Sequence, residues 1–227
     1  QALAIVRQQL GEEHPDTATF LNNLAGVYEA QGRYAEAERL YQQALAIRRT
    51  QLGEEHPDTA RSLNNLAGVY YAQGRYAEAE RLLQQALAIR RTQLGEEHPD
   101  TARSLNNLAG VYYAQGRYAE AERLLQQALA IRRTQLGEEH PDTATCLNDL
   151  ALVYEAQGRY DEAERLLQQA LAIVRQQLGE EHPDTATFLN NLAEVYEAQG
   201  RYDEAERLLQ QALAIVRQQL GEEHPHT

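Results

Sequence analysis

A 42-residue period runs through the sequence, and it constrains the fold more than any other feature. Residues 15–56, 57–98, 99–140, 141–182 and 183–224 are successive copies, preceded by a partial copy at 1–14 and followed by a tail at 225–227. The second and third copies agree at every position. A period of this size marks a supersecondary unit that cannot bury its apolar face alone and is stabilised by stacking on like neighbours. Three such units are usually the minimum, and five full copies exceed it. The expected organisation is one solenoid domain over residues 1–227. The chain starts mid-pattern without Met, so it reads as a piece of a longer array.

Each copy reads as a helical hairpin. In the first, Leu21, Leu24, Ala25 and Tyr28 recur at the spacing of one helix face. Pro15 suits the first helical position, His14 the N-cap, and Asp16 the positive helix end. Gln31-Gly32-Arg33 breaks the helix. A second helix is expected over 34–52, with Tyr34, Ala37, Tyr41 and Ala44 inward and Gly53 closing it.

Composition narrows the function. The net charge of −13 argues against general nucleic-acid binding, which needs a basic footprint. No apolar run approaches the 18 or so residues of a membrane helix, and no signal peptide is visible. The single cysteine, Cys146, has no internal partner, which fits a reducing cytoplasm. It stands in the slot of Phe20, Ser62, Ser104 and Phe188, so a buried, inert thiol is expected.

Leu24-Ala25, Tyr28, Gly32, Tyr34, Ala37, Tyr41 and Ala44-Leu45 together resemble the tetratricopeptide signature, recurring through residues 15–224. Leu21 stands where that family usually has Trp, and the Pro that normally closes the second helix is missing. The second helix instead continues through Arg48-Arg49-Thr50-Gln51-Leu52. This longer repeat, with Leu-Asn-Asn-Leu-Ala and Gly-x-x-His-Pro-Asp, is similar to those of kinesin light chains and related bacterial proteins. The resemblance implies an all-α fold: an α-solenoid of antiparallel helix–turn–helix repeats forming a right-handed superhelix. It also implies small residues where helices approach closely, and a concave groove lined by the first helices.

Nine columns vary between copies, represented by Thr19, Phe20, Asn23, Gly26, Glu29, Ala35, Tyr41, Arg48 and Thr50. Four of the five on the first helix point away from its apolar face at about 100° per residue. The middle copies carry Arg61 and Arg103, Gly68 and Gly110, and Tyr71 and Tyr113. The flanking copies carry Glu29, Glu155 and Glu197 in the Tyr column, and the last two carry Leu152 and Glu194 in the Gly column. From the partial copy onward the net charges are −1, −2, 0, 0, −5 and −5. A roomy, aromatic, basic middle with acidic flanks is expected.

Paired amides recur on every first helix: Asn22-Asn23, Asn64-Asn65, Asn106-Asn107, Asn148-Asp149 and Asn190-Asn191. An amide can donate to and accept from an extended main chain at once, and the resemblance implies that use. A solvated polar face copied by duplication is the alternative. The candidate peptide site is therefore Arg61, Asn64, Asn65, Gly68, Tyr71, Arg103, Asn106, Asn107, Gly110 and Tyr113. Asn22, Asn23, Glu29, Asn148, Asp149, Glu155, Asn190, Asn191, Glu194 and Glu197 flank it.

No phosphate loop, zinc cluster or catalytic triad is present in the sequence, so neither an enzyme nor a cofactor or metal is expected. One His per copy, from His14 to His224, reads as a cap or turn residue, because equivalent positions lie too far apart to share an ion. His224 and His226 are close enough in sequence to chelate adventitiously. The arginine at 48, 90 and 132 becomes Val174 and Val216 in later copies and reads as partly exposed. Two functions follow. One is a protein-interaction scaffold binding an extended, acidic-bearing peptide segment. The other is a structural or consensus-like array without a specific ligand, prone to head-to-tail self-association.

Overall fold

The computed structural model describes residue 11 and residues 13–220. The partial copy, apart from its last few residues, and the His224–His226 pair lie outside the described residues. The described residues contain ten helices and no strand. They are α1 (Pro15–Ala30), α2 (Tyr34–Leu52), α3 (Pro57–Ala72), α4 (Tyr76–Leu94) and α5 (Pro99–Ala114). Then follow α6 (Tyr118–Leu136), α7 (Pro141–Ala156), α8 (Tyr160–Leu178), α9 (Pro183–Ala198) and α10 (Tyr202–Leu220). The chain forms two compact units, residues 1–116 and 117–227. Within the first, α1 to α4 form two hairpins and each helix through α5 packs on the one before. Within the second, α6 to α10 pack consecutively in the same manner.

Local chemistry marks the start of each first helix and the ends of α2, α4, α6 and α8. The imidazole Nδ1 of His56 accepts the backbone N–H of Asp58 at 3.1 Å, and His14, His98, His140 and His182 repeat the arrangement. This satisfies one of the donors left orphaned at a helix start. Thr59 donates its hydroxyl to the Gly53 carbonyl at 2.8 Å, tying each new helix to the end of the last. Gly53, at φ 98° and ψ 163°, takes a backbone conformation that side-chain-bearing residues rarely adopt.

The core is built from small and branched residues. Ala18, Ala25, Ala37 and Ala44 are fully buried, which lets the helices approach closely, and Leu21 fills the space beside them. Tyr34, expected inward, is only half-buried at the first position of its helix. A polar cluster joins consecutive hairpins near the tight turns. The Arg75 guanidinium lies 4.0 Å over the Tyr70 ring and reaches Glu38 of the preceding copy at 2.9 Å and Glu78 of its own. Arg201 does the same with Tyr196, Glu164 and Glu204.

The arginine column departs from expectation. Arg48 and Arg90 are buried, with 1% and 3% exposure. Arg48 Nη1 donates to Ser62 Oγ at 2.7 Å and to the Asp58 carbonyl at 3.4 Å; Arg90 reaches Ser104 and the Asp100 carbonyl likewise. The next copy thus supplies hydroxyl and main-chain acceptors that compensate for the lost water. Burial is the main influence pulling both guanidinium pKa values down. Cys146 fits expectation: it is fully buried, and burial pushes its thiol up to about 12.

Replacing His98 by Ala should lower stability by about 1 kcal/mol, and His98→Asn should retain most of it, as read from urea unfolding of the whole chain.

Candidate functional site

The exposed edge of each first helix follows from its own periodicity. In α3, Leu63, Leu66, Ala67 and Tyr70 are buried, so Arg61, Gly68 and Tyr71 emerge on the other side, with Asn64 and Asn65 half-buried between. In α5, Arg103, Asn106, Asn107, Gly110 and Tyr113 repeat the pattern. Both helices belong to the first unit, so their candidate residues share one surface.

A cavity of about 300 Å³ opens there. Asn64, Ala67, Gly68 and Tyr71 wall it from α3, Asn106, Asn107, Gly110 and Val111 from α5, and Leu83 of α4 forms its floor. Six of the ten central candidates therefore meet around one space. A Cβ built on Gly110 would touch nothing within 4 Å, which leaves that wall open. Tyr71 stays 42% exposed at the mouth, its ring 5.4 Å from that of Tyr76.

Arg61, Arg103, Asn65 and Tyr113 do not line the cavity. Arg61 pairs with Asp58 at 3.0 Å and Arg103 with Asp100 at 2.8 Å, each one helical turn back on its own helix. Both side chains keep about half their surface in solvent, so these pairs are weak. The amide ladder has a second use. Asn65 donates to Asn22 at 3.0 Å and Asn107 to Asn64 at 2.8 Å, linking neighbouring copies. In the second unit Asn191 donates to Asn148 at 2.8 Å. An amide offers two hydrogens and two lone pairs. The ladder commits one hydrogen of Asn107 and one lone pair of Asn64, and the others can serve a ligand.

Leu83 is a residue that sequence reasoning missed, although its column was one of the nine that vary. Tyr41 stands in the same place in the first copy. Its hydroxyl donates to Glu29 at 2.9 Å and would lie 3.5 Å from a Cβ on Gly26. Burial first, then this bond, push the Tyr41 phenol well above its usual range. The Tyr41–Glu29 pair stands at the first copy's equivalents of Leu83 and Tyr71, and the Tyr41 hydroxyl reaches toward Gly26, where Leu83 has no hydroxyl to extend toward Gly68. The sequence carried no paired signal for Leu83: Leu stands in that column in every copy but the first, with Tyr71 and Tyr113 in the middle copies and with Glu155 and Glu197 in the last two.

The first helices of the second unit carry different chemistry at the equivalent positions. Asn190 donates to Glu194 at 2.8 Å. Burial, and then the neighbouring Glu194, push the Glu155 carboxyl up. Among the described residues no group of three or more His, Cys, Asp or Glu could hold a metal ion, and no helix is long and apolar enough to cross a membrane.

The tetratricopeptide repeat family model matches residues 1–50, 16–92, 58–134, 100–176, 148–218 and 184–227. A putative kinesin light chain from Podosopora anserina, with nearly identical TPR-like repeats, is 38% identical to this chain. It superposes with a TM-score of 0.75 over 91% of this chain and 98% of that one. BtubC (BKLC) from P. vanneervenii is 27% identical, with a TM-score of 0.78 over 98% of this chain and 87% of that one. A Rap protein solved with competence and sporulation factor shares the fold at 21% identity, with a TM-score of 0.75 over 90% of this chain and 56% of that one. None of the curated proteins matches the sequence. The repeated helix pairs, the full-length family match and these structural likenesses agree: the chain belongs to the tetratricopeptide repeat family, and its repeats are kinesin light chain-like.

Proposed function

We propose that this chain is a protein-interaction scaffold that holds an extended peptide segment against α3 and α5. The observation that carries the reading is the open cavity between the two helices, with apolar Leu83, Ala67 and Val111 below and amides at its edge. An apolar space with a few convergent polar groups is the usual form of a binding site. A bulky side chain enters the cavity, the peptide main chain meets the unspent hydrogen-bonding groups of Asn64 and Asn107, and Tyr71 covers the entrance. Arg61 and Arg103 exchange their exposed aspartate partners for carboxylates of the ligand, a small cost because those pairs are solvated. Tetratricopeptide repeats generally act as non-enzymatic interaction scaffolds, in keeping with this assignment.

The face of the second unit favours a different segment. Glu155 and Glu194 repel one another there, so that face disfavours an acidic ligand. The acidic portion of the partner therefore belongs to the first unit.

Titration of the chain against a set of acidic, aromatic-bearing peptides tests the assignment. Gly110→Leu and Leu83→Tyr each fill the cavity and should weaken the parent's ligands about tenfold or more, the value of burying one large side chain. Arg61→Glu with Arg103→Glu should weaken them further and flatten the salt dependence. If every ligand binds all of these variants as tightly as the parent, the groove assignment is wrong.

The raised Glu155 carboxyl gives a second expectation. A carboxyl raised in the folded state adds stability below its unfolded pKa and loses it as pH rises through the folded value. At neutral pH the charged Glu155 is therefore a burden. Glu155→Gln should raise the thermal midpoint at pH 7, and the advantage should vanish near pH 4.

A further inference from the structure

We infer that two residues fourteen apart, placed on either side of the repeat junctions within the described residues, form a stacking code that divides the repeats into two classes that do not substitute for each other. The polar class is built on Arg48 with Ser62 and on Arg90 with Ser104. The guanidinium–hydroxyl distances are 2.7 and 2.6 Å, and both serines are fully buried. The apolar class is built on Val174 with Phe188, which occupy the same two places and are 2% and 6% exposed. Arg132 and Cys146 occupy the same two places as a third polar pair. Arg132 donates to the Asp142 carbonyl at 2.8 Å, and the buried thiol donates to the Leu125 carbonyl at 3.5 Å. In the sequence Val6 and Phe20 keep the same spacing and the same residue types. No junction in the chain mixes the two classes.

The two columns therefore change together, and the physical reason is direct. A Phe beside Arg48 would displace its hydroxyl acceptor and leave a buried charge short of partners. A Val beside Ser62 would leave a buried hydroxyl unpaired and a void where the guanidinium had been. Each mismatch is unfavourable, whereas each matched pair satisfies its own chemistry.

The code has a task that the invariant Ala and Leu core cannot perform. Ala18, Ala60, Ala102, Ala144 and Ala186 are equivalent and buried, as are Leu21, Leu63, Leu105, Leu147 and Leu189. A stack slipped by one repeat, or exchanged with a second copy of this chain, restores all of those apolar contacts. The Arg/Ser and Val/Phe columns, which meet across the junction, tell one neighbour from another. They admit exchange among the Arg–Ser junctions and reject a hairpin ending in Val174 wherever a serine-bearing helix is offered. A buried polar pair setting register in this way has precedent in other helical assemblies.

Thermal unfolding of the full chain tests the code through two cycles. Arg90→Val and Ser104→Phe should each lower the midpoint by about 5 °C or more, and the double variant should return to within about 2 °C of the parent. The reverse cycle, Val174→Arg with Phe188→Ser, should behave in the same way. If Ser104→Phe alone does not fold, adding Ser104→Phe to Arg90→Val must still raise the midpoint. Midpoints of both doubles that equal the summed single shifts, or a Ser104→Phe change that lowers the midpoint beside Arg90→Val, would overturn the inference.

Discussion

Everything in this molecule depends on burial that one hairpin cannot complete. The Ala and Leu face of α1 is covered partly by α2, and α3 of the next copy packs on α2 in turn. Because each copy supplies the cover for its neighbour, the residues on the packing face cannot vary singly without loss. Ala18, Ala25, Ala37 and Ala44 have no exposed surface, so even an added methyl group would have to displace a helix. The exposed side of the first helix carries no such constraint. A solenoid therefore separates support from recognition: the repeat period conserves one face of each helix and leaves the other free to diversify.

That freedom is not confined to the surface. Tyr41 and Leu83 lie on second helices and are buried, yet they decide whether space exists in front of Gly26 or Gly68. The groove is shaped from beneath as well as from its rim. The amides also join copies, linking Asn107 to Asn64. Charge differs between the first helices of the two units. The first unit offers Arg61 and Arg103 beside an open cavity, and the second offers Glu155 and Glu194 in mutual repulsion.

Most of the fold was legible in the sequence. The breaks at Gln31-Gly32-Arg33 and Gly53 coincide with the ends of α1 and α2, because glycine and capping chemistry act within a few residues. The site was legible in part. Helical periodicity was enough to gather Asn64, Gly68, Tyr71, Asn106 and Gly110 on one face, since faces repeat along a helix. It did not distinguish the cavity wall from the helix-start positions of Arg61 and Arg103, nor find Leu83 on the neighbouring helix. The column of Arg48 was misread as partly exposed for a related reason. An Arg that alternates with Val looks like a surface position until Ser62, fourteen residues away, is seen to satisfy it.

The sequence by itself determined the repeat, the helix boundaries, the buried Ala and Leu face and the family, all of which follow from local periodicity and short-range capping. Tertiary structure alone decided which side chains meet between repeats: Arg48 with Ser62, Asn107 with Asn64, and Leu83 beneath Gly68 and Gly110. Those meetings depend on the distance and angle between stacked helices. These are set by the summed packing of several copies, and no single segment encodes them.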